Sequence, residues 1–380
     1  MVALVVSVCW PAVAPLPAAS AAAKPAWSIA TFPSPPGSST AGFEGVTCPS
    51  ATSCLAVGSS RVGKTTKTLV EQWNGRKWSV LTSPNPAGAT SSSFKAVACA
   101  SATNCFAVGY DIRGTTTQSL VERWNGTSWS VTPSPSPATW ADPSLDSVAC
   151  PSATRCFAVG HGRSTMGDSL VEHWDGSTWS VVPVAKLSGW TETSFYGVTC
   201  ASASTCFAVG FYQPVAEAPL RTLIEQWDGN AWSVVTSPSP AGALPATLAR
   251  VSCPSVTSCF AVGSYSPKGG GLKTLIERWN GTSWSTMPSP NAQSATTATS
   301  DVSCATTTSC VAVGRYLNGA NGRTLVERWT GTTWSIVTSP NPTGSTNSLL
   351  KGVSCPSASS CIAVGTATVK QTRGLIERYA

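Results

Sequence analysis

The sequence predicts an all-β fold, a seven-bladed β-propeller of four-stranded blades, and three observations predict it. A unit of about 51 residues recurs along the chain, a period that belongs to stacked β-modules and propeller blades. Each unit carries one Cys-x5-Cys pair. The two ends of the chain are complementary fragments of a single unit. Composition agrees: 11% charged residues exclude a charge-rich coiled coil, and 42% hydrophobic content can fill a core and argues against disorder.

The fixed part of the unit reads V-[TAS]-C-x5-C-[FLVI]-A-V-G, then a variable stretch, then L-[VI]-E-x-W-[NDT]-G-x-x-W-S. In the second unit Phe94–Ala98 reads as strand A, Cys105–Val108 as the start of strand B, Leu120–Trp124 as strand C and Trp129–Val131 as strand D. Asn-Gly or Asp-Gly between C and D supplies the φ > 0 residues of a tight hairpin. Pro/Ser-rich segments such as 134–137 connect D to the next A as loops. Six whole blades are expected at 42–88, 93–137, 144–185, 194–240, 247–290 and 299–342.

The seventh blade is split. The chain ends at Leu375–Ala380 as a strand C without its D, and Trp27–Ala30 is a strand D without its C. Residues 24–36 and 349–380 together make one blade, so residues 24–380 form one closed domain whose first and last blades leave no open sheet edge.

Fourteen of the 15 cysteines fall into seven local pairs: Cys48/Cys54, Cys99/Cys105, Cys150/Cys156, Cys200/Cys206, Cys253/Cys259, Cys304/Cys310 and Cys355/Cys361. Zinc would need further ligands, and only His161 and His173 exist, so disulfides are expected, with no metal and no cofactor. Disulfides place the chain in an oxidising compartment. Residues 1–23, with an apolar run at Val2–Trp10 and small residues near Ala19–Ala23, read as a secretory leader, although no Lys or Arg precedes the run. Val8 before Cys9 does not fit a lipid-anchor motif, and the run is too short to span a bilayer as a helix. A secreted monomer without a transmembrane helix is expected.

The Trp-Asp-Gly-x-x-Trp turn at Trp174–Trp179 resembles the Asp-box hairpin of bacterial neuraminidase repeats and the tryptophan turn of kelch-type blades. It departs from both: the Asp-box has one more residue between Asp and Trp, most copies here carry Asn, and none carries the kelch Gly-Gly doublet. The resemblance implies architecture alone, because Asp-boxes are themselves structural.

The repeated glutamates (Glu71, Glu122, Glu172, Glu225, Glu277, Glu327, Glu377) read as buried hydrogen-bond acceptors, since seven equivalent acids are not a catalytic pair. The paired tryptophans supply buried area, and each indole N–H needs an acceptor. The A–B and C–D turns fall on one face of the disc, which is expected to carry the disulfides, and the B–C and D–A loops fall on the other. The second face holds all variation in length and chemistry, so binding belongs there.

On that face Trp140 and Trp190 are left over after the repeat has used its tryptophans. With Tyr110, His161, Phe211, Tyr212, Arg113 and Arg163 they form a candidate site for sugar rings or a partner side chain. In the channel, Lys351, Glu44, Lys95 and Asp146 alternate in sign, and Arg250 with Asp301 is the expected ion pair. Lys67, Arg221, Lys273, Arg323 and Arg373 precede strand C, either as a cationic ring for an acidic polymer or as solvating charges. A glycan-cleaving, sialidase-like enzyme is the alternative, with Asp142 and Glu192 the available carboxylates. No phosphate loop, HExxH or GxSxG motif is present, and a net charge of +7 without a dense basic run gives no reason to expect nucleic acid. The expected function is non-catalytic recognition of an extracellular glycan or protein.

Overall fold

The computed structural model describes Val2 and residues 25–135, 140–163, 168–185, 189–240, 244–294 and 296–380. The leader, with Cys9 and Trp10, lies outside them. All regular structure among the described residues is β, in antiparallel units of four strands ordered A-B-C-D. In the second unit these are Ala89–Ser101, Asn104–Arg113, Thr116–Trp124 and Trp129–Thr132. The fold is a β-propeller.

The closing unit uses both ends of the chain. Trp27–Ile29 pairs antiparallel with Thr372–Tyr379, placing Trp27 opposite Tyr379. The last and first units then meet along strand A: a Cβ on Gly352 would lie 3.0 Å from the Gly45 Cα, and the Cys48 N–H donates to Ser354 Oγ at 2.9 Å.

Strand C is buried on both sides because each blade is sandwiched between two others. Leu120 packs with Leu55 and Val57 of the preceding unit, while its neighbour Val121 packs with Leu145 and Val148 of the following one. Successive residues of a strand face opposite ways. Burying each such side chain contributes roughly 1.5–3 kcal/mol. The phenylalanine after the second cysteine serves the same boundary: Phe106 meets the rings of Trp174 and Trp179 at 5.0 and 5.2 Å, and Phe157 meets Trp227 and Trp232. Arg123 lies over Trp174, and Arg378 of the last unit lies over Trp73 of the first, 5.5 Å from its ring centre.

Every pair of cysteines is bridged, as Cys48–Cys54, Cys99–Cys105, Cys150–Cys156, Cys200–Cys206, Cys253–Cys259, Cys304–Cys310 and Cys355–Cys361. The bridges lie at the turn end of the A–B hairpin, where Cys99 faces Cys105 one step before Ser101 pairs with Asn104. The second cysteine of each pair (Cys54, Cys105, Cys156, Cys206, Cys259, Cys310 and Cys361) belongs to the hydrophobic core, none more than 2% exposed. The reason is its place at the head of strand B, opposite the first turn tryptophan, as Cys105 stands opposite Trp124 and Cys54 opposite Trp73. Each bridge therefore anchors the turn end of its hairpin to the interior of the blade.

The hairpin does not stop at the cysteines as the spacing implied. Strands A and B run on past them, so that Ser101 pairs with Asn104 and Cys99 faces Cys105 directly, Cα to Cα 4.0 Å. The C–D turn also differs from the expected hairpin: only its glycine takes positive φ (Gly126, 99°). The residue before it is an acceptor instead, with Asn125 Oδ1 receiving the N–H groups of Thr127 and Ser128. Asp175 does the same for Ser177 and Thr178, and those bonds hold its carboxyl well below the usual range.

The glutamates are buried, and their partners cross the blade boundary. Ser83 Oγ donates to both Glu122 oxygens (3.1 and 2.9 Å) and shares a 2.8 Å bond with Thr68 of its own unit. Ser134 and Ser237 donate likewise to Glu172 and Glu277, and Ser289 and Ser339 each reach one oxygen of Glu327 and Glu377. In the unit bearing Val184 at this position, the Ala185 N–H bonds Glu225 instead. Glu71 has no partner for either oxygen, because Phe32 occupies the serine position and packs against Phe43. The tryptophans divide too. The first indole of the turn finds a carbonyl in five units, as Trp124 does at Ala102 (3.2 Å), but Trp227 finds none, and neither does the second indole in units such as that of Trp129.

Candidate binding face

Strand A of every unit carries a β-bulge midway, for example between Phe94 and Ala96, and between Leu145 and Ser147. The unpaired residue of each bulge is Glu44, Lys95, Asp146, Tyr196, Ala249, Ser300 or Lys351. A bulge bends its strand and frees a side chain from the sheet's alternation. The motif's last glycine makes room for it: a Cβ on Gly109 would meet the Ser93 carbonyl oxygen at 2.0 Å. The bulges border an axial cavity of about 120 Å³ lined by Glu44, Lys95, Arg250 and Asp301.

Lys351 Nζ lies 2.5 Å from Glu44 Oε1 across the closing seam. Arg250 departs from the expected pairing with Asp301. Its guanidinium donates to the carbonyls of Ala249, Tyr196 and Asp146, the last at 3.0 Å. All three acceptors are bulge residues, left out of the ladder register, and they offer oxygens that only a donor can satisfy. Asp301 receives the N–H groups of Val302 and Val353, each at 2.8 Å. Burial raises its pKa to about 6, against the pull of the nearby Arg250 charge.

Around the third unit a bulge residue meets a strand B residue. His161 Nδ1 lies 2.7 Å from Asp146 Oδ2, with the imidazole about half exposed and the carboxylate nearly buried. That hydrogen bond lifts the histidine pKa above its ordinary value, against the effect of burial and of the nearby Lys95. Tyr196 of the next unit meets the imidazole edge to face at 6.4 Å and stands 5.6 Å from Phe211. Burial, with the Asp146 charge second, holds its phenol up. Lys95 lies over the Tyr110 ring at 5.6 Å.

The leftover tryptophans are only partly exposed. Trp140 packs on the core of its unit and lies over Gly162, where a Cβ would come within 2.6 Å of the ring. Trp190 stacks on Tyr212 at 4.1 Å with 21° between the planes. Phe211 is buried, and Arg113 is held by the buried Asp111 through two hydrogen bonds, 2.8 and 3.3 Å. The Arg163 backbone pairs with Ala141, and its side chain lies outside the described residues. The sequence singled out His161 and Asp146 separately. Their contact depends on the bulge, which shifts the register by one, and Tyr196 went unlisted for the same reason.

Asp142 takes positive φ (54°) and accepts from Thr117 at 3.0 Å, while Glu192 is exposed and pairs along the backbone with Gln213. No group of three metal-ligating side chains lies close together among the described residues, and no described helix is long and apolar enough to cross a membrane.

No protein-family profile and no curated protein matches the sequence. Solved structures do match, as β-propellers. YCF48 bound to a D1 peptide is 12% identical, with TM-score 0.55 over 93% of this chain and 95% of that one. An ulvan lyase of polysaccharide lyase family PL25, bound to a GlcA–Rha3S sugar, is 10% identical, with TM-score 0.53 over 90% and 94%. A GH74 xyloglucanase from Xanthomonas campestris is 12% identical, with TM-score 0.55 over 92% of this chain and 55% of its own. Identities this low carry the fold alone.

Proposed function

We propose that residues 24–380 form a seven-bladed propeller that is exported and recognises a cell-surface glycan or protein through its B–C and D–A loops. The observation that carries this reading is the convergence on one sector of partly exposed rings and paired polar groups. Trp190 stacks on Tyr212 in the same unit as Tyr196, the Tyr196 ring meets His161 with its Asp146 partner, and Lys95 lies over Tyr110 one unit before. Flat apolar faces beside hydrogen-bonding groups suit a sugar ring or a peptide side chain. Propellers of the same fold include one bound to a peptide and one bound to an acidic sugar.

Binding to a glycan and peptide array by the exported chain tests this. Trp190→Ala should weaken the hits at least tenfold while the fold persists; binding left intact would remove this sector from consideration. A second reading is glycan cleavage. It rests on His161, oriented through Nδ1 by Asp146 with its other nitrogen across the ring, beside the phenol of Tyr196. Such an arrangement suits general acid–base work. Turnover of polysaccharides that is lost in His161→Gln would favour it.

A further inference from the structure

We infer a second site, for acidic polysaccharide, at the closing seam between the last unit and the first. A cleft of about 360 Å³ opens there, lined chiefly by Thr40, Ser59, Arg61, Thr66, Thr366 and Thr372. A neighbouring cleft of about 550 Å³ is bordered by Lys370 and Arg373. Four loops meet at this seam: 30–41 and 59–68 on the first unit's side, 337–348 and 366–374 on the last unit's. Together they hold Arg61, Lys64, Lys67, Lys370 and Arg373 and not one Asp or Glu.

The opposite sector of the same face is where the loop acids gather, at Asp111, Asp142, Asp168, Glu192 and Glu217. Cations occur all round this face, but at the seam they stand without a neighbouring carboxylate.

The cations that precede strand C resolve into two kinds. Lys273 and Arg323 donate to the carbonyls of Ser294 and Ser345 in the loop entering the following unit, and so clamp it. Arg373 does the same at Ser38 (3.1 Å), which fixes its charge at the seam. Lys64, Lys67 and Lys370 are exposed, and none of the three makes an ion pair with a described carboxylate. Arg61 is exposed and uses its Nε on the Gly63 carbonyl, 3.3 Å away, leaving its terminal nitrogens for a ligand.

Positive charge without counter-charge, set around walls of hydroxyls, matches a sulfate or carboxylate carried on a sugar. The hydroxyls can exchange hydrogen bonds with ring hydroxyls while the cations hold the anion. No aromatic side chain lines either cleft, so bases would have nothing to stack on, which argues against single-stranded nucleic acid.

Calorimetric titration of the full chain with dextran sulfate and with polygalacturonate oligomers, beside neutral dextran of equal length, tests the site. Binding should require the anion and weaken with salt. The variant Arg61→Gln/Lys64→Gln/Lys370→Gln should bind at least tenfold more weakly. The control Arg76→Gln/Lys77→Gln, on the opposite face, should bind as before. If the triple variant does not fold, Lys370→Gln alone carries the comparison, with a threefold or larger loss expected. Equal losses in the control, equal binding of neutral dextran, or equal binding of single-stranded DNA or anionic vesicles would each overturn the inference. Trp190→Ala should leave this binding unchanged, which separates failure here from failure of the reading for the aromatic sector.

Discussion

Two kinds of boundary hold the ring together, and they are built differently. At the boundary between the first and second units a relay of neutral donors, Thr68 to Ser83, ends on the buried Glu122. At the closing seam the relay is missing: Phe32 replaces the serine, and Glu71 is buried with neither oxygen bonded. What the seam has instead is Phe32 packed edge-on against Phe43 and the Lys351–Glu44 bridge. Where repetition sets the boundary the buried acid meets a donor, whereas the boundary that joins the two chain ends puts a ring in the donor's place and a charge pair beside it.

The largest effect should come from removing the clasp. Trp27→Ala should cost about 3–5 kcal/mol, as for other buried tryptophans, read as a fall in unfolding midpoint in denaturant. A loss below about 1 kcal/mol, the scale of an ordinary substitution, would mean that the split blade does not bear on global stability. Next, Ser134→Ala leaves Glu172 without its donor and should cost about 1–3 kcal/mol; a neutral result would show the relay to be incidental.

The smallest effect separates the two boundaries by the partner each buried acid has, since burial lifts Glu122 to about 8 as it does Glu71. Burial raises the pKa of Glu71 to about 8 from an ordinary 4.5. The neutral acid is then the form the fold favours, so its contribution is complete below about pH 4.5 and is lost as pH rises through about 8. Glu71→Leu should therefore raise the melting temperature at pH 8 and above. Glu122→Leu should lower it, because Ser83 loses its acceptor. Melts from about pH 5 to about pH 9, a window spanning both ionisation states, in which the two variants move the same way would erase the distinction.

The architecture was legible because repetition averages away local ambiguity: seven aligned cysteine pairs and tryptophan turns show the blade, and complementary fragments at Trp27 and Tyr379 show how it closes. The interior was less so. A side chain's direction follows from strand alternation only while the register holds, and the bulges break it in strand A. That is why the contact of His161 with Asp146 and the turning of Arg250 to carbonyl oxygens could not be read from spacing. Spacing also paired the cysteines correctly without showing that Cys105 and its counterparts lie inside the blade, because burial depends on the tryptophan across the ladder. Trp140 and Trp190 stood out by subtraction, but not the packing of one over Gly162 and the other on Tyr212. The threonine-lined seam carried no signal at all, since its walls come from loops at opposite ends of the chain.

The bulge also decouples shape from chemistry. Because the extra residue sits outside the ladder, and the facing glycine absorbs its backbone, the positions of Glu44, Lys95, Asp146, Tyr196, Ala249, Ser300 and Lys351 tolerate acids, bases, a phenol, a methyl and a hydroxyl in otherwise matching blades. They act as interchangeable sockets around the axis. A lineage could rewrite the whole lining of the channel one socket at a time without ever passing through an unfolded protein, provided that the glycine opposite each socket stays.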